Sequence, residues 1–315
     1  MNVFRVLKPG LFTTVQDTGR HGYLKYGVPM SGAMDTLSLI TANALVANDP
    51  QAACLETTLI GPELETLTKA QIALTGGDTE SRINGQSVPM GQTLEVKEGD
   101  RLTFGNVRGG CRVYISIRGG INVPLILGSR STYVRGGFGG IEGRQLRTGD
   151  IIKSFDSKPF NVEYSLPENL TPQFASNFTV HVILGPQADM FTENGLDTFL
   201  SNPFKVTLEA DRMGYRLEGQ PITHKGEADI VSDALLPGAT QVPKSGMPIV
   251  IMRDAQTTGG YPKIAVVTMP DVVMLGQAKP GDTVEFSKTT MHQAQEKFKE
   301  YFKRLGSLKA SIRKA

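Results

Sequence analysis

The 315-residue chain has no tryptophan and only two cysteines, Cys54 and Cys111. Because these cysteines form no CxxC pair, they cannot build a disulfide framework, and they suit a reducing compartment. No apolar run approaches the roughly 18 residues that a membrane-spanning helix needs. The first ten residues, MNVFRVLKPG, lack the apolar stretch of a signal peptide. These absences predict a cytoplasmic protein with no membrane partner.

The sequence also lacks the signatures of metal, nucleophile and nucleotide-loop sites. Its four histidines are far apart, and none belongs to an HExxH motif or a Cys/His cluster, so we expect no metal site. No GxSxG nucleophile elbow is present, and Cys54 follows an apolar stretch typical of the core. The nearest approach to a Walker A loop, residues 238–245, has Pro243 where glycine is needed, and proline has no N–H for a phosphate.

Charge is unevenly distributed along the chain. The net charge is +2, but residues 291–315 contain seven Lys or Arg against two Glu, so this tail is +5 and residues 1–290 are −3. The excess of positive charge therefore belongs to the tail alone. A body of negative net charge does not predict binding to nucleic acid.

Glycine and proline are abundant, with 35 and 18 residues, about 17% of the chain against roughly 12% in average proteins. This composition indicates many tight turns between short strands. In residues 111–120, Val113, Ile115 and Ile117 alternate with polar or larger residues, which predicts a strand with one buried face and one solvent-facing side. The dipeptide Asn84-Gly85 predicts a hairpin turn, because both central positions of that turn need positive φ.

A Gly-Asp pair precedes an alternating strand three times, at Gly99, Gly149 and Gly281. We interpret the pair as a turn in which glycine supplies positive φ and the aspartate bonds backbone amides. Two of the copies close long β-rich stretches, which predicts barrel-like domains that end alike.

Two helices are predicted. One begins at Thr36 with Asp35 as its N-cap. The other lies in the tail, with an apolar face that ends near Leu305 and Gly306 as its cap. The chain is thus predicted to be mainly β, with few helices, in two β-rich domains. We place these domains at 1–160 and 161–290, followed by a basic amphipathic helical tail at 291–315, with the boundary near the proline-rich segment Pro159–Asn177.

Two stretches are more polar than segments that serve only to build the fold. Gln16–Asp35 contains Asp17 and Arg20 among four glycines. Further along, the apolar run IVIM leads directly into Arg253–Gly260, and a rigid strand that ends in a glycine-rich loop is a common way to build a site.

The loop Arg253–Gly260 offers groups for a small polar ligand. Gln256 has the paired donor and acceptor that suit an amide, and Lys244 or Arg253 could hold a carboxylate. The alternative interpretation is structural, with Asp254 and the threonines only capping turns.

Three separated motifs are familiar. They are QDTGRHGY…GVPMSGAMD from Gln16, DRMGYRLEG from Asp211 and QVPKSGMPIVIMRDAQTTGGYPKIAVV from Gln241. They resemble the family that contains the C subunit of 5-oxoprolinase, the KipI antagonist and the carboxyltransferase region of urea carboxylase, from roughly Val3 to Lys288. The resemblance implies a cyclophilin-like β-barrel architecture, in agreement with the mainly β interpretation.

The resemblance also implies an activity: a multi-subunit 5-oxoprolinase that opens 5-oxo-L-proline to L-glutamate with ATP hydrolysis. A lactam is a poor acyl donor, and phosphorylation of its amide oxygen would give an imidate that water can attack. The implied partners are the KipI-like B subunit of that enzyme together with its third component, the A subunit. This chain is expected to be inactive alone. ATP, with or without Mg²⁺, would be bound by the complex, and which of the three chains binds it is left open.

The resemblance leads to a set of candidate site residues. Asp254 and Lys244 are assigned catalytic roles, and substrate binding is assigned to Arg253, Gln256, Thr257, Thr258, Gly259, Gly260, Asp17 and Arg20. Two other functions stay open. One is a regulatory protein that sequesters a KipI-like inhibitor of a sensor kinase. The other is a carboxyltransferase that acts on carboxybiotin, although no biotin attachment site of the AMKM type is present.

Overall fold

A computed structural model describes residues 1–155, 163–167 and 170–314. This part of the chain divides into two compact units. The first comprises Met1–His21, Ser31–Phe174 and Arg304–Ala315, and the second comprises Gly22–Met30 and Ala175–Lys303. The mainly β class with few helices is confirmed. The domain boundaries at residues 160 and 290 stay predictions. Pro159, in the predicted boundary segment, lies outside the described residues.

A nine-stranded sheet forms the first unit. Its strands are β1 (Asn2–Lys8), β2 (Phe12–Gln16), β3 (Cys54–Thr58), β4 (Glu63–Thr66), β5 (Ala70–Ile83), β6 (Gln86–Ser87), β7 (Thr93–Val96), β8 (Arg101–Ile117) and β9 (Ile151–Lys153). They follow the order β2-β3-β8-β4-β1-β9, and β5 pairs with β6, β7 and β8. A large apolar cluster that includes Phe4, Leu55 and Ile115 forms much of the core. A short ribbon, β10 (Tyr164–Ser165) with β20 (Arg313–Lys314), also belongs to this unit.

Helix α1 (Thr36–Leu45) begins as predicted, because Asp35 Oδ1 accepts a hydrogen bond from Ser38 N at 2.9 Å. The predicted solvent face of β8 is wrong, since Tyr114 and Ser116 are both fully buried. The reason is α1, which covers that face: Ser116 Oγ donates to Asn43 Oδ1 of the helix at 2.7 Å, and Tyr114 clusters with apolar helix residues.

The second unit contains a closed barrel of seven strands, which confirms the predicted barrel architecture. In spatial order they are β11 (Asn177–Leu184), β18 (Lys263–Val267), β15 (Ala239–Gln241), β16 (Ile249–Ile251), β13 (Gly214–Glu218), β12 (Phe204–Val206) and β19 (Thr283–Lys288). Strands β14 (Asp233–Ala234) and β17 (Thr258–Gly259) form a separate ribbon. Stacked rings, Phe199 on Phe286 with centroids 4.3 Å apart, pack at the core.

The expectation of two helices is corrected, because the described residues also contain α2 (Glu193–Ser201) and α3 (Met269–Leu275). Each is short, so the apolar period that identifies a helix barely repeats. A cap defines the start of α2, where Thr192 Oγ1 accepts from Gly195 N at 2.9 Å.

The tail helix α4 (Met291–Ser311) is present but runs past its predicted end. Gly306 is an interior residue of the helix, not its cap. Burial of Leu308 beyond it offsets the roughly 1 kcal/mol that glycine costs in a helix. On the predicted apolar face, Phe298 and Phe302 are about half exposed, with ring centroids 4.6 Å apart.

All three Gly-Asp pairs form the predicted turn. The glycines have φ of +86°, +91° and +95°, and each aspartate accepts a hydrogen bond from the backbone N–H three residues earlier. The second copy leads into β9 and the third into β19, so the sheet and the barrel end alike.

Candidate functional site

Asp17 follows β2 and lies at the centre of a buried hydrogen-bond network in the first unit. Its Oδ1 accepts from Ser129 Oγ at 2.6 Å, Ser131 Oγ at 2.5 Å and Gly19 N at 2.8 Å. Its Oδ2 accepts from Arg130 N at 2.6 Å. Charge-assisted bonds of this kind stabilise an anion that is only 5% exposed. The network ties the first motif to residues 129–131.

Arg20 is buried beside the same segment. Its Nη2 donates to Ser131 O at 2.8 Å, and its guanidinium lies 4.9 Å from the Phe138 ring centroid. Gly139 must lack a side chain here, because a Cβ would lie 2.0 Å from Ser131 O. The substrate-binding roles assigned to Asp17 and Arg20 stay predictions, and both residues are firmly held by their surroundings.

In the second unit, Asp254 forms a buried two-pronged ion pair with Arg212. Its Oδ2 accepts from Arg212 Nε at 2.7 Å and its Oδ1 from Nη2 at 3.0 Å, with both side chains less than 10% exposed. Asp254 N also donates to Arg212 O at 2.8 Å. The pair fastens the third motif to the second. Arg212 stands in the quoted motif DRMGYRLEG but was not singled out by sequence reasoning. The catalytic role of Asp254 stays a prediction.

The rest of the loop is fixed through its backbone. Leu235 N donates to Thr257 O at 2.9 Å, and Ile230 N donates to Gly260 O at 2.8 Å. Thr258 and Gly259 form β17. A Cβ at Gly259 would lie 2.9 Å from Gln241 Nε2, so glycine allows that amide to pack against the loop. Within this rigid frame, the side chains of Gln256 and Thr258 are exposed.

Lys263 is a second residue that sequence reasoning missed. Its side chain is only 6% exposed, and its Nζ donates to Asp233 Oδ2 and, at 3.2 Å, to Ala234 O. The hydrogen bond from this ammonium group lowers the pKa of Asp233 below its ordinary value. Because Asp233 and Ala234 form the strand that pairs with β17, Lys263 supports the loop. The sequence feature that could have identified Lys263 is its charge at the start of the apolar run KIAVV.

A narrow crevice brings two motifs together within the second unit. Leu24, Pro29 and Met30 of the first motif line it together with Arg253 and other residues of the third, Gln256 among them. The latter half of the first motif therefore packs beside the predicted loop.

An open groove of about 960 Å³ lies beside this loop and is the candidate active site. That volume is within the range of small-molecule sites. The second and third motifs supply much of its lining: Asp211, Met213, Gly214, Arg216, Gln241, Pro243, Ser245, Met247, Gln256 and Tyr261. Of the predicted residues in this unit, Gln256 lines the groove. Lys244, exposed in a turn, and Arg253 are not among its lining residues.

Other reactive groups are structural. Cys54 is fully buried, and desolvation raises the pKa of its thiol to about 12, as suits a core residue. No group of three or more His, Cys, Asp or Glu in the described part of the chain could hold a metal ion. None of the helices among the described residues is long and apolar enough to span a membrane.

Comparison with known proteins agrees with the three motifs. The family model "Carboxyltransferase domain, subdomain A and B" matches residues 26–288, so the chain belongs to this family. It is 38% identical to the C subunit of 5-oxoprolinase from Escherichia coli (strain K12) over 292 residues, which is 93% of each chain.

Larger proteins contain a similar region. Urea amidolyase of Lachancea kluyveri is 36% identical over 90% of this chain, which spans only 17% of that protein. The crystal structure of K. lactis urea amidolyase superposes with a TM-score of 0.91 at 33% identity, covering 97% of this chain and 20% of the other. The resemblance stated from the motifs is therefore confirmed.

Proposed function

We propose that this chain is the C subunit of a 5-oxoprolinase, which opens 5-oxo-L-proline to L-glutamate with ATP hydrolysis. The similarity to the Escherichia coli protein of that name covers nearly the whole of both chains. By contrast, the chain spans only about a fifth of the urea amidolyases.

The observation that best supports this function is the lining of the groove. 5-Oxoproline has a lactam amide, a carboxylate and an apolar ring edge. Gln256 offers an amide at the groove, while Ile249, Ile251 and Met247 offer apolar surface. A carboxamide can donate to the lactam oxygen and accept from the lactam N–H, so one side chain recognises both polar groups of the amide whose C–N bond must break.

The segment whose sequence comes nearest to a phosphate loop, residues 238–245, does not form one in the structure. After β15, the chain passes Pro243 and a turn at Lys244 and Ser245, and then enters β16 instead of a helix. A helix N-terminus and a row of free N–H groups are what such a loop supplies. This segment therefore gives no support for ATP binding here, and ATP, with or without Mg²⁺, stays assigned to the complex as a whole.

Ring opening breaks the C–N bond of the lactam and adds the elements of water, with a proton going to the nitrogen. We assign this chain the task of holding the lactam amide in place at Gln256. Lys244 and Asp254 stay candidates for proton transfer, with Asp254 oriented by Arg212.

The experiment is co-expression with the KipI-like B subunit and with the third component, the A subunit, followed by an assay of ATP-dependent glutamate release from 5-oxoproline. We expect turnover by the assembled complex and none by this chain alone. Turnover by the purified chain alone would contradict the need for partners. A stable complex with no turnover would contradict the proposed activity and favour the regulatory function.

A carboxyltransferase is the second candidate, because the matching family model is that of a carboxyltransferase domain. Avidin, which sequesters biotin, separates the two functions. Glutamate release that avidin does not change supports the 5-oxoprolinase, whereas activity that avidin abolishes supports transfer from carboxybiotin.

A further inference from the structure

The groove must also bind the substrate carboxylate, and neither cation suggested by the sequence lines it. Among the described residues that line the groove, the cationic side chains are those of Lys205 and Arg216. Arg216 lies in the second motif and on β13, a strand of the barrel wall, so its backbone is rigidly placed.

The strand register places Arg216 in a useful row. On β16 its direct partner is Ile249, and the partner of Ile249 on β15 is Gln241. Directly opposed residues project to the same face of a sheet, so the Arg216 guanidinium stands beside the apolar side chain of Ile249. Gln241 is only 3% exposed, and its Nε2 donates to Tyr261 O at 2.9 Å, so its amide is engaged within the protein. In the next row, Gly214 opposes Ile251 and has no side chain to occupy the space above it. This surface offers a guanidinium beside apolar area, which suits the carboxylate and the ring edge of 5-oxoproline.

Arg216 is also available to a ligand. Its side chain is 55% exposed, and its one described ion pair joins Nε to Glu209 Oε2 at 3.4 Å, where Glu209 is itself 76% exposed. An exposed pair of this kind contributes little free energy. A substrate carboxylate can make two parallel hydrogen bonds to a guanidinium and replace it. Arg212 of the same motif differs, because its guanidinium is buried against Asp254.

We propose that Arg216 binds the carboxylate of the substrate in this groove and that Glu209 occupies the guanidinium when the groove is empty. This inference rests on the proposed function, because it takes 5-oxoproline as the ligand. It assigns to Arg216 the role that sequence reasoning gave to Lys244 or Arg253.

The test compares 5-oxoproline with 5-oxoprolinamide, its neutral analogue, by calorimetric titration of the assembled complex. For Arg216→Gln we expect binding of 5-oxoproline to weaken about 10- to 150-fold, as for loss of a hydrogen bond to a charged group. Binding of 5-oxoprolinamide should change less than about 3-fold. Lys205→Gln is the matched control at the same groove, and it should keep the preference for the carboxylate.

Glu209→Gln provides an independent signature. Removal of the competing carboxylate should tighten 5-oxoproline binding by about 1.5- to 5-fold, the size of an exposed ion pair, and leave 5-oxoprolinamide unchanged. Circular dichroism checks that each variant is folded, which is expected for exposed positions.

Three results would overturn the inference. Arg216→Gln could keep the preference for the carboxylate, Lys244→Gln or Arg253→Gln could abolish it instead, or the wild-type complex could show no such preference. If the wild-type complex neither binds nor hydrolyses 5-oxoproline, the proposed function itself fails, and that outcome is distinct from the other three.

Discussion

Asp17 in the first unit and Gln256 in the second lie in motifs of similar composition, each polar and rich in glycine. Asp17 is 5% exposed and accepts four hydrogen bonds, whereas Gln256 projects from a loop that is fixed through its backbone. The second motif repeats this contrast within five residues, since Arg212 is buried in an ion pair and Arg216 is exposed at the groove. Polar motifs in this chain therefore contain two kinds of residue: buried ones that hold the fold together, and exposed ones that are accessible to a ligand.

The two kinds should respond differently to substitution. Removal of a buried partner leaves the other group desolvated and uncompensated, which costs stability. Removal of an exposed side chain costs little stability and changes only binding or turnover.

Arg212→Ala should destabilise the protein by about 3–5 kcal/mol, because Asp254 would become a buried charge without its partner. Urea unfolding followed by circular dichroism measures the loss. Arg216→Ala is the matched control from the same motif and should stay within about 0.5 kcal/mol of wild type. Equal losses in the two variants would show that burial does not separate them.

Asp17→Asn should cost about 1.5–3 kcal/mol, the size of a lost hydrogen bond to a charged group, because the amide oxygen can replace Oδ1 but the amide nitrogen cannot accept from Arg130 N in place of Oδ2. The same unfolding experiment measures it. Asp78→Asn, at an exposed position of the same unit, is the control and should have almost no effect. A stable Asp17→Asn variant that has lost 5-oxoproline binding would instead place Asp17 in the substrate site.

Gln256→Ala should leave the fold intact and lower kcat/KM for 5-oxoproline about 2- to 13-fold, the size of a lost neutral hydrogen bond. Loss in kcat would mean that the bond forms mainly in the transition state, and a raised KM would mean equal binding in the ground state. The assay uses the assembled complex, with exposed Gln220→Ala as the control. Wild-type kinetics in a folded Gln256→Ala variant would show that Gln256 does not bind the substrate.

The smallest effect is expected for alkylation of Cys54 in the native protein. Burial raises the pKa of its thiol to about 12, so at pH 8 only about one molecule in ten thousand has the reactive thiolate. Iodoacetamide should leave Cys54 unmodified in the native protein and alkylate it after denaturation, as read by peptide mass spectrometry. Rapid native labelling would reveal a reactive thiol and reopen covalent catalysis.

Local features were predictable because their rules involve only neighbouring residues. Asp35 caps α1, and Asn84 and Gly85 both have positive φ, at +52° and +79°. The three Gly-Asp turns form as expected for the same reason. The loop after IVIM was also predictable, since a strand that ends in polar residues and glycines has a recognisable pattern.

Features that depend on distant parts of the chain were not predictable. The sequence around Tyr114 alternates like a half-exposed strand, but α1 covers its second face. Asp254 pairs with Arg212, 42 residues earlier in the chain, and no local sequence pattern predicts a pairing over that distance. Lys244 was favoured as a carboxylate ligand on charge alone, and only the barrel register shows that Arg216 stands beside Ile249 at the groove.

In the sheet of the first unit and in the barrel, the first strand pairs with the last strand, and this has a consequence for synthesis on the ribosome. In the first unit, β1 pairs with β9, so Asn2 meets Lys153, and in the barrel β11 pairs with β19. At 5–20 residues per second, β1 is made roughly 8–30 s before its final neighbour. During that interval one edge of β1 presents unpaired backbone groups, which is a site for aggregation or chaperone binding. The first unit therefore completes its sheet only after the second Gly-Asp turn has been translated.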